Sequence, residues 1–342
     1  MRVAMYYNNN DVRFEEMPKP KINPGEILVK VMASGICGSD VMEWYRIKKA
    51  PRVLGHEISG EIVEIGDGVT GYRVGDRVFV SHHVPCNTCR YCLFGHHTAC
   101  ETLHTTNFDP GGNSEYIRVP QINVDRGVFA LPEEVSFEEA VFVEPLACAV
   151  RGQRLIDVKP GQTVLVIGCG ISGLLHLQLA HALGATRVAA SCKYPFQLEA
   201  ARKFGADIVI DAKEDVSHTL RKANDGRLAD AAIVCAGSSS AARTALESVD
   251  RGGTILFFAV PPPDVEFPIN LNEIWRNEIT LKTSYAASPL DILQSIELIR
   301  SRNVRVREMV THRLSLEEAG LGFKLMAKKT EGVIKVILKP HG

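Results

Sequence analysis

The chain has 342 residues, of which 45% are hydrophobic and 23% charged, and its formal net charge at pH 7 is −1. The length predicts two domains, and the composition is that of a soluble globular protein. The near-neutral charge argues against partners such as nucleic acid or an anionic membrane surface, and no apolar run reaches the roughly 18 residues of a membrane-spanning helix. The first residues lack a signal-peptide pattern, so the sequence predicts a cytoplasmic protein.

Short strands separated by turn residues are predicted for the first part of the chain. Residues 25–31 form a mostly apolar run that begins at a glycine turn, and residues 62–66 and 76–80 continue this pattern. The first part is therefore predicted to be a β-rich, largely antiparallel domain.

A candidate metal site interrupts these strands. Cys37 opens a Cys-Gly-Ser-Asp segment, and His56 and Glu57 follow after a loop. Thiolate and imidazole suit zinc, and a catalytic zinc needs three protein ligands and one open position. Neighbours alternate sides on an extended strand, so Glu57 is expected to face away from His56. Glu144 is then the candidate third ligand, although a buried structural cysteine beside a core histidine is the simpler alternative.

The pattern Gly-His-Glu-x2-Gly-x5-Gly-x2-Val over residues 55–69 resembles the signature of the zinc-containing medium-chain dehydrogenase/reductase family. The resemblance extends over essentially the whole chain. It implies an α/β protein with a GroES-like, β-rich catalytic domain and a Rossmann domain. It also implies hydride transfer between an alcohol and a nicotinamide cofactor, with zinc polarising the alcohol oxygen.

The resemblance assigns catalytic positions residue by residue. Cys37, His56 and Glu57 match the family motif, and Glu57 is expected to exchange into the zinc shell during turnover. Glu144 matches the glutamate that the polyol and threonine dehydrogenase branches carry in Glu-Pro-Leu. Ser39 matches the hydroxyl that begins the proton relay from the zinc-bound oxygen.

Two departures from the family pattern concern the substrate. Met42 stands where many relatives carry a relay histidine, and Ala286-Ala287 replaces an Arg-Tyr pair of sorbitol-type enzymes. Met42, Trp44 and Phe108 therefore predict a pocket that is more apolar than one for an open-chain sugar. The basic run at residues 44–49 is interpreted as a solvated loop.

Four cysteines predict a second metal site. Cys86, Cys89, Cys92 and Cys100 have the spacing Cys-x2-Cys-x2-Cys-x7-Cys, which can close a tetrahedral site without an open position. An iron–sulfur cluster is the alternative, and the resemblance favours a structural zinc. The total of nine cysteines argues against a disulfide framework, and four are interpreted as small buried hydrophobes: Cys148, Cys169, Cys192 and Cys235.

The second part of the chain predicts a dinucleotide-binding domain. An apolar strand at 163–167 runs into Gly168-Cys169-Gly170-Ile171-Ser172-Gly173, and a helix is predicted at 174–183. A glycine loop between a buried strand and a helix suits a pyrophosphate, which the free N–H groups of the helix bind. Gly168, Gly170, Ile171, Ser172 and Gly173 are the candidate contacts. Further strands are predicted at 187–191, 207–210, 231–235, 254–258 and 279–284.

The end of the chain leaves the dinucleotide-binding pattern. Helices are predicted at 289–300 and 316–328 and a strand at 333–338. In the family this segment returns to the catalytic domain. The Rossmann domain is therefore placed at residues 148–287, between the two parts of the catalytic domain at 1–147 and 288–342.

The second strand of the Rossmann domain predicts NADP(H) in preference to NAD(H). Enzymes that prefer NAD carry an acid at its end, and here the aligned residue is Cys192. Ser191 can donate a hydrogen bond to a 2′-phosphate and Lys193 can supply a positive charge. The alternative is a solvent-facing Lys193 and an enzyme that accepts either cofactor.

These observations predict an enzyme with two zinc ions per chain that acts on a small secondary alcohol or ketone, polyol-like or cyclic. L-threonine 3-dehydrogenase is an alternative activity, and a catalytically silent nucleotide-binding relative is an alternative of another class. By family analogy the protein is a homo-oligomer, a dimer or tetramer, and the strand at residues 279–283 is a candidate pairing edge.

Overall fold

The computed structural model describes residues 1–328 and 331–342. The chain divides into two compact units, and the first consists of Met1–Ala147, Ala287–Ser301 and Val306–Gly342. The second consists of Cys148–Ala286 and Arg302–Arg305.

The strands of the first unit are β1 Arg2–Asn8, β2 Asp11–Glu16, β3 Ile27–Gly35, β4 Arg52–Val53, β5 Glu57–Ile65, β6 Arg77–Val80, β7 Tyr116–Val119, β8 Val128–Ala130, β15 Val310–Ser315 and β16 Lys335–Lys339. The strands of the second unit are β9 Thr163–Ile167, β10 Arg187–Cys192, β11 Ile208–Asp211, β12 Ala229–Val234, β13 Val249–Phe257 and β14 Thr280–Thr283.

In chain order the helices are α1 Glu43–Arg46, α2 Arg90–Leu93, α3 Glu101–Thr105, α4 Gln121–Gly127, α5 Phe137–Ala140, α6 Val143–Ile156, α7 Ile171–Ala182, α8 Pro195–Lys203, α9 Val216–Ala223, α10 Ser239–Ser248, α11 Leu271–Arg276, α12 Pro289–Arg300 and α13 Ala319–Ala327. Four short 3₁₀ helices cover Gly38–Val41, Ile47–Lys49, His97–Ala99 and Arg307–Met309.

The first unit is built on a seven-stranded sheet with the order β15-β16-β3-β5-β6-β8, in which β7 also pairs with β3. All of these pairs are antiparallel except β15 with β16, so the predicted β-rich fold is confirmed. Apolar side chains of β3 and β5 share one core because alternate residues face the same side. The register places Gly35 of β3 opposite Glu57 of β5. This pairing brings Gly35, two residues before Cys37, next to Glu57, which follows His56.

The second unit contains a six-stranded parallel sheet with the order β11-β10-β9-β12-β13-β14. Counted from β9, this is the order 3-2-1-4-5-6 of a Rossmann fold, which confirms the predicted fold class. The order reverses between β9 and β12, and every residue of β9 is buried. Ligands of such sheets bind at this reversal, beyond the carboxyl ends of the strands.

Helix boundaries follow local capping signals. Helix α12 begins where predicted because Ser288 and Asp291 form a reciprocal capping box before Pro289. Helix α7 begins three residues before the predicted start, directly after the extended Gly170. Of the helices in the described ranges, none combines the length and the apolar composition that crossing a bilayer requires.

Candidate active site and metal centres

Cys37, His56 and Glu57 form a cluster in the first unit. Cys37 precedes the 3₁₀ helix Gly38–Val41, and Glu57 opens β5 opposite the end of β3. One ligand atom from each of the three residues lies within 4.8 Å of the other two. A thiol, an imidazole and a carboxylate at this separation are a donor set that fits a zinc ion.

Asp40 fixes the orientation of the histidine. Its carboxylate is fully buried, accepts the backbone N–H of Cys37 at 3.1 Å and lies 3.4 Å from His56 Nδ1. This leaves His56 Nε2 as the nitrogen that faces a metal. Burial opposes protonation of the imidazole, but Asp40 and Cys37 raise the pKa of His56 well above its ordinary value. The same negative surroundings favour a divalent cation.

The Glu57 carboxylate has a partner that the sequence did not reveal. It is paired with Lys335 Nζ of β16, and both side chains are essentially inaccessible to solvent. Glu57 does not face away from the cluster as strand alternation predicted, because Gly55 has a φ of +95° and regular pairing begins only at Glu57. Glu144 lies in the first turn of α6 and is not one of the three clustered ligands.

Ser39 lies beside the clustered thiol. Its hydroxyl is 3.4 Å from Cys37 Sγ and accepts a hydrogen bond from Arg46 Nη2 at 2.9 Å. Arg46 also donates to Asp40 Oδ1 at 3.1 Å. Arg46 therefore orients both the hydroxyl predicted for the proton relay and the carboxylate that holds the histidine.

Two further histidines approach the cluster and were missed in the sequence. The centroid of the His82 ring lies 4.9 Å from that of His56, and the His83 ring lies 3.8 Å from that of His82. Burial and neighbouring positive charge lower the pKa of His82 well below its ordinary value and that of His83 to about 4. Both are thus neutral imidazoles near neutral pH. In the sequence, the position of two adjacent histidines just after the apolar strand β6 could have indicated that they lie near the site.

The four predicted cysteines of the second site also converge. Their sulfur atoms lie within 4.8 Å of one another, with 3.6 Å between Cys89 and Cys92 and 3.9 Å between Cys86 and Cys92. The hydroxyl and backbone N–H of Thr88 lower the pKa of Cys86 to about 5, which favours the thiolate that a metal binds. Cys86, Cys89, Cys92 and Cys100 fit a tetrahedral zinc without an open position.

A Cys100→Ser variant is expected to lose thermal stability while the surviving folded enzyme retains its turnover. Loss of one thiolate would weaken the binding of a metal that contributes to folding, so the melting temperature should fall by about 5 °C or more. Differential scanning calorimetry and zinc analysis measure the effect. Cys148→Ala, outside both clusters, is the control. An unchanged melting temperature in Cys100→Ser would argue against a structural metal at the four cysteines.

The glycine loop of the second unit allows a ligand to approach the backbone closely. Gly168 follows β9 with a φ of +97°, which favours glycine. A Cβ atom at Gly173 would overlap the carbonyl oxygen of Gly168, whereas the space around Gly170 is open. Ile171 and Ser172 begin α7, where the first N–H groups lack intrahelical partners. The loop therefore fits the pyrophosphate of a dinucleotide.

A disulfide joins this loop to the end of β10. Cys169 and Cys192 are bonded, although both were expected to be unpaired buried residues, so this interpretation was wrong for the pair. The cause is topological: β9 and β10 are neighbours with Ile167 opposite Ser191, so the residues that follow them meet. The position aligned with the usual acid of NAD-preferring folds is thereby occupied by a disulfide.

The two predicted 2′-phosphate contacts have different surroundings. The Ser191 hydroxyl is buried and has no hydrogen-bond partner within residues 1–328 and 331–342. Lys193 is exposed, and its Nζ lies 5.7 Å from the centroid of the Tyr194 ring. Of these two side chains, that of Lys193 is the one accessible to a ligand from solvent.

Two family models and several known dehydrogenases match this chain. Residues 23–132 match the model of the alcohol dehydrogenase GroES-like domain, and residues 172–301 match that of the zinc-binding dehydrogenase. The chain is 32% identical to sorbitol dehydrogenase of Bacillus subtilis over 351 aligned positions, covering 100% of this chain and 98% of the relative. It is 33% identical to L-threonine 3-dehydrogenase of Bacillus licheniformis over 336 positions, covering 96% and 95%.

A solved structure shows the same fold. The alcohol dehydrogenase TADH from Thermus sp. ATN1 superposes with a TM-score of 0.87 at 31% identity, covering 99% of each chain. Together with the clustered zinc donors and the glycine loop, this similarity shows that the chain belongs to the zinc-containing medium-chain dehydrogenase/reductase family, whose members are NAD(P)-dependent alcohol and polyol oxidoreductases.

Proposed function

We propose that this enzyme interconverts a secondary alcohol, polyol-like or cyclic, and its ketone, with NADP(H) as the preferred cofactor and two zinc ions per chain. The observation that carries the proposal is the cluster of Cys37, His56 and Glu57. Cys37 and His56 are two ligands of the catalytic zinc, and Glu144 or Glu57 supplies the third. Cys86, Cys89, Cys92 and Cys100 hold the structural zinc.

The protein's residues prepare the site for this reaction. When bound, zinc supplies a Lewis acid for the alcohol oxygen, and the nicotinamide supplies the hydride acceptor. Asp40 holds His56, and the Ser39 hydroxyl, which Arg46 binds beside Cys37 Sγ, would relay the proton of the alcohol by accepting it while passing its own proton to the cofactor ribose. Lys335 restrains Glu57, which must leave that pair to enter the metal shell.

A turnover screen tests the proposal. The zinc-loaded enzyme with NADP is expected to oxidise secondary alcohols or polyols and to act poorly on L-threonine, because Met42 replaces the relay histidine. Threonine dehydrogenase is the second candidate, since Glu144 matches the Glu-Pro-Leu motif and several relatives carry that name. Turnover of threonine alone would select that alternative, and absence of turnover with every alcohol would refute the proposal.

Cofactor preference is expected to favour NADP by about tenfold in kcat/KM, since Lys193 offers a charge to the 2′-phosphate and the end of β10 carries Cys192 in place of an acid. Lys193→Ala is expected to remove most of this preference without changing kcat/KM for NAD. Lys222→Ala, an exposed lysine on α9, is the control. Preference for NAD, or a preference that Lys193→Ala leaves unchanged, contradicts the assignment.

We also propose a homo-oligomer, a dimer or tetramer, that works in the cytoplasm. The supporting feature for the assembly is β14, which ends the six-stranded sheet and leaves one side free for a second copy. The support for a reducing compartment is the four-cysteine cluster, whose thiols are free although Cys169 and Cys192 are bonded.

A further inference from the structure

Several cations of the first unit lie around the Cys37–His56 cluster. Arg46 ends α1, Lys49 ends the following 3₁₀ helix, and Arg52 opens β4. Arg46 and Lys49 belong to the basic run at residues 44–49 that the sequence suggested to be a solvated loop. Arg46 does not project into solvent, because its side chain is only 16% exposed and it donates to Ser39 and Asp40. Arg46 therefore belongs to the active-site region, whereas Lys48 and Lys49 are exposed as expected.

Arg52 is the unexplained member of this group. It is half-buried, and no carboxylate or hydrogen-bond acceptor contacts its guanidinium within the described ranges 1–328 and 331–342. Burial and repulsion by Arg46 lower the pKa of Arg52. A partly desolvated cation without a partner costs free energy, and a bound anion would supply the missing interaction.

The acids nearby are already engaged. Asp40 is bound by Arg46 and lies against His56, and Glu43 accepts the backbone N–H of Asn9 at 3.1 Å. Neither forms an ion pair with Arg52 or Lys49 in the part of the chain that the structure describes. The charge beside the cluster thus remains positive after these pairs are formed.

The cations also lie close to the catalytic residues. Arg46 contacts Ser39, whose hydroxyl is 3.4 Å from Cys37 Sγ. On the other side, the positive charges of Arg46 and Lys49 act on His83, whose ring stacks on His82 beside His56. An anionic group bound among these cations is therefore within one small molecule's length of the metal donors.

We propose that the substrate is an alcohol that carries an anionic group, a carboxylate or a phosphate ester, and that Arg52 binds this group with help from Arg46 and Lys49. The proposal rests on the alcohol dehydrogenase function proposed above. A guanidinium suits it because its planar donors bind carboxylate and phosphate oxygens in pairs. The carboxylate and the phosphate share this chemistry, and the experiment distinguishes them.

The kinetic test compares six-carbon aldonates and hexitol phosphates with hexitols of the same configuration. An aldonate or a phosphate is expected to be the better substrate in kcat/KM, and which of the two is better identifies the anion. Arg52→Met is expected to lower kcat/KM for that anionic substrate by about 10- to 100-fold and for the hexitol by less than about threefold. Arg52→Lys should restore part of the loss. Arg251→Met, an exposed arginine of the second unit, is the control.

Anion binding can also be measured without turnover, by tryptophan fluorescence. The chain has two tryptophans, and Trp44 lies two residues before Arg46. In a Trp275→Phe background, inorganic phosphate or acetate is expected to change the Trp44 fluorescence, with an affinity about tenfold weaker after Arg52→Met. Equal anion binding by both proteins, or hexitols oxidised faster than every anionic partner, would overturn the inference. Turnover of no alcohol, together with Arg52-dependent anion binding, would instead refute the dehydrogenase proposal and leave the anion site standing.

Discussion

Replacing Cys37 with alanine is expected to lower kcat/KM for the best alcohol by about a thousandfold or more. The variant removes a thiolate from the three-residue cluster, so the Lewis acid that polarises the alcohol oxygen is lost or displaced. Zinc content is expected to fall from two ions per chain towards one, because the four-cysteine site is untouched. Steady-state kinetics and metal analysis of the same preparation measure both effects.

The comparison variant is Cys148→Ala, a cysteine outside both clusters, which should retain two zinc ions and near-normal turnover. Circular dichroism establishes that the Cys37→Ala protein is folded. A folded variant with full activity would show that the thiol is a structural cysteine and that the catalytic site lies elsewhere.

Replacing Lys335 with methionine is expected to destabilise the protein by about 3 to 5 kcal/mol. Lys335 and Glu57 are buried together, with side-chain exposures of 0% and 1%, so the change leaves a carboxylate in the interior without its counter-charge. Gly35 adds to the constraint, since any side chain there would collide with both groups. Urea unfolding followed by fluorescence measures the free energy of unfolding.

Lys339→Met is a matched control on the same strand. Lys339 pairs with Glu138 at 3.2 Å, but its side chain is 37% exposed, so its loss should cost about 1 kcal/mol or less. The double variant Glu57→Gln with Lys335→Met should recover part of the lost stability, because the unpaired charge is gone. Equal effects of the two single lysine variants would contradict the account of a buried pair.

The parts of the fold that depend on local pattern were predictable from the sequence. The buried strand at 163–167, the glycine loop after it and the recurring strands led to the observed Rossmann sheet. The cysteine spacing at 86–100 is also local, and the four sulfur atoms do meet. Short-range sterics and capping act on neighbouring residues, so the sequence contains this information directly.

The features that were missed depend on pairing between distant segments. Lys335 meets Glu57 only because β16 joins the sheet beside β3, and a lysine within an apolar strand was the available signal. Cys169 and Cys192 meet because β9 and β10 are adjacent in a given register. Phe108 was expected to line a pocket, and it is buried in the core of the first unit with its ring 6.4 Å from that of His82. The unpaired state of Arg52 is likewise visible only when its surroundings are known.

The most direct measurement is an anomalous difference map from crystals of the zinc-loaded protein, recorded on both sides of the zinc absorption edge. We predict two peaks per chain, one surrounded by the sulfur atoms of Cys86, Cys89, Cys92 and Cys100 and one bound by Cys37, His56 and a glutamate carboxylate. A single peak at the four cysteines, with none beside Cys37 and His56, would contradict a zinc-dependent active site in this chain.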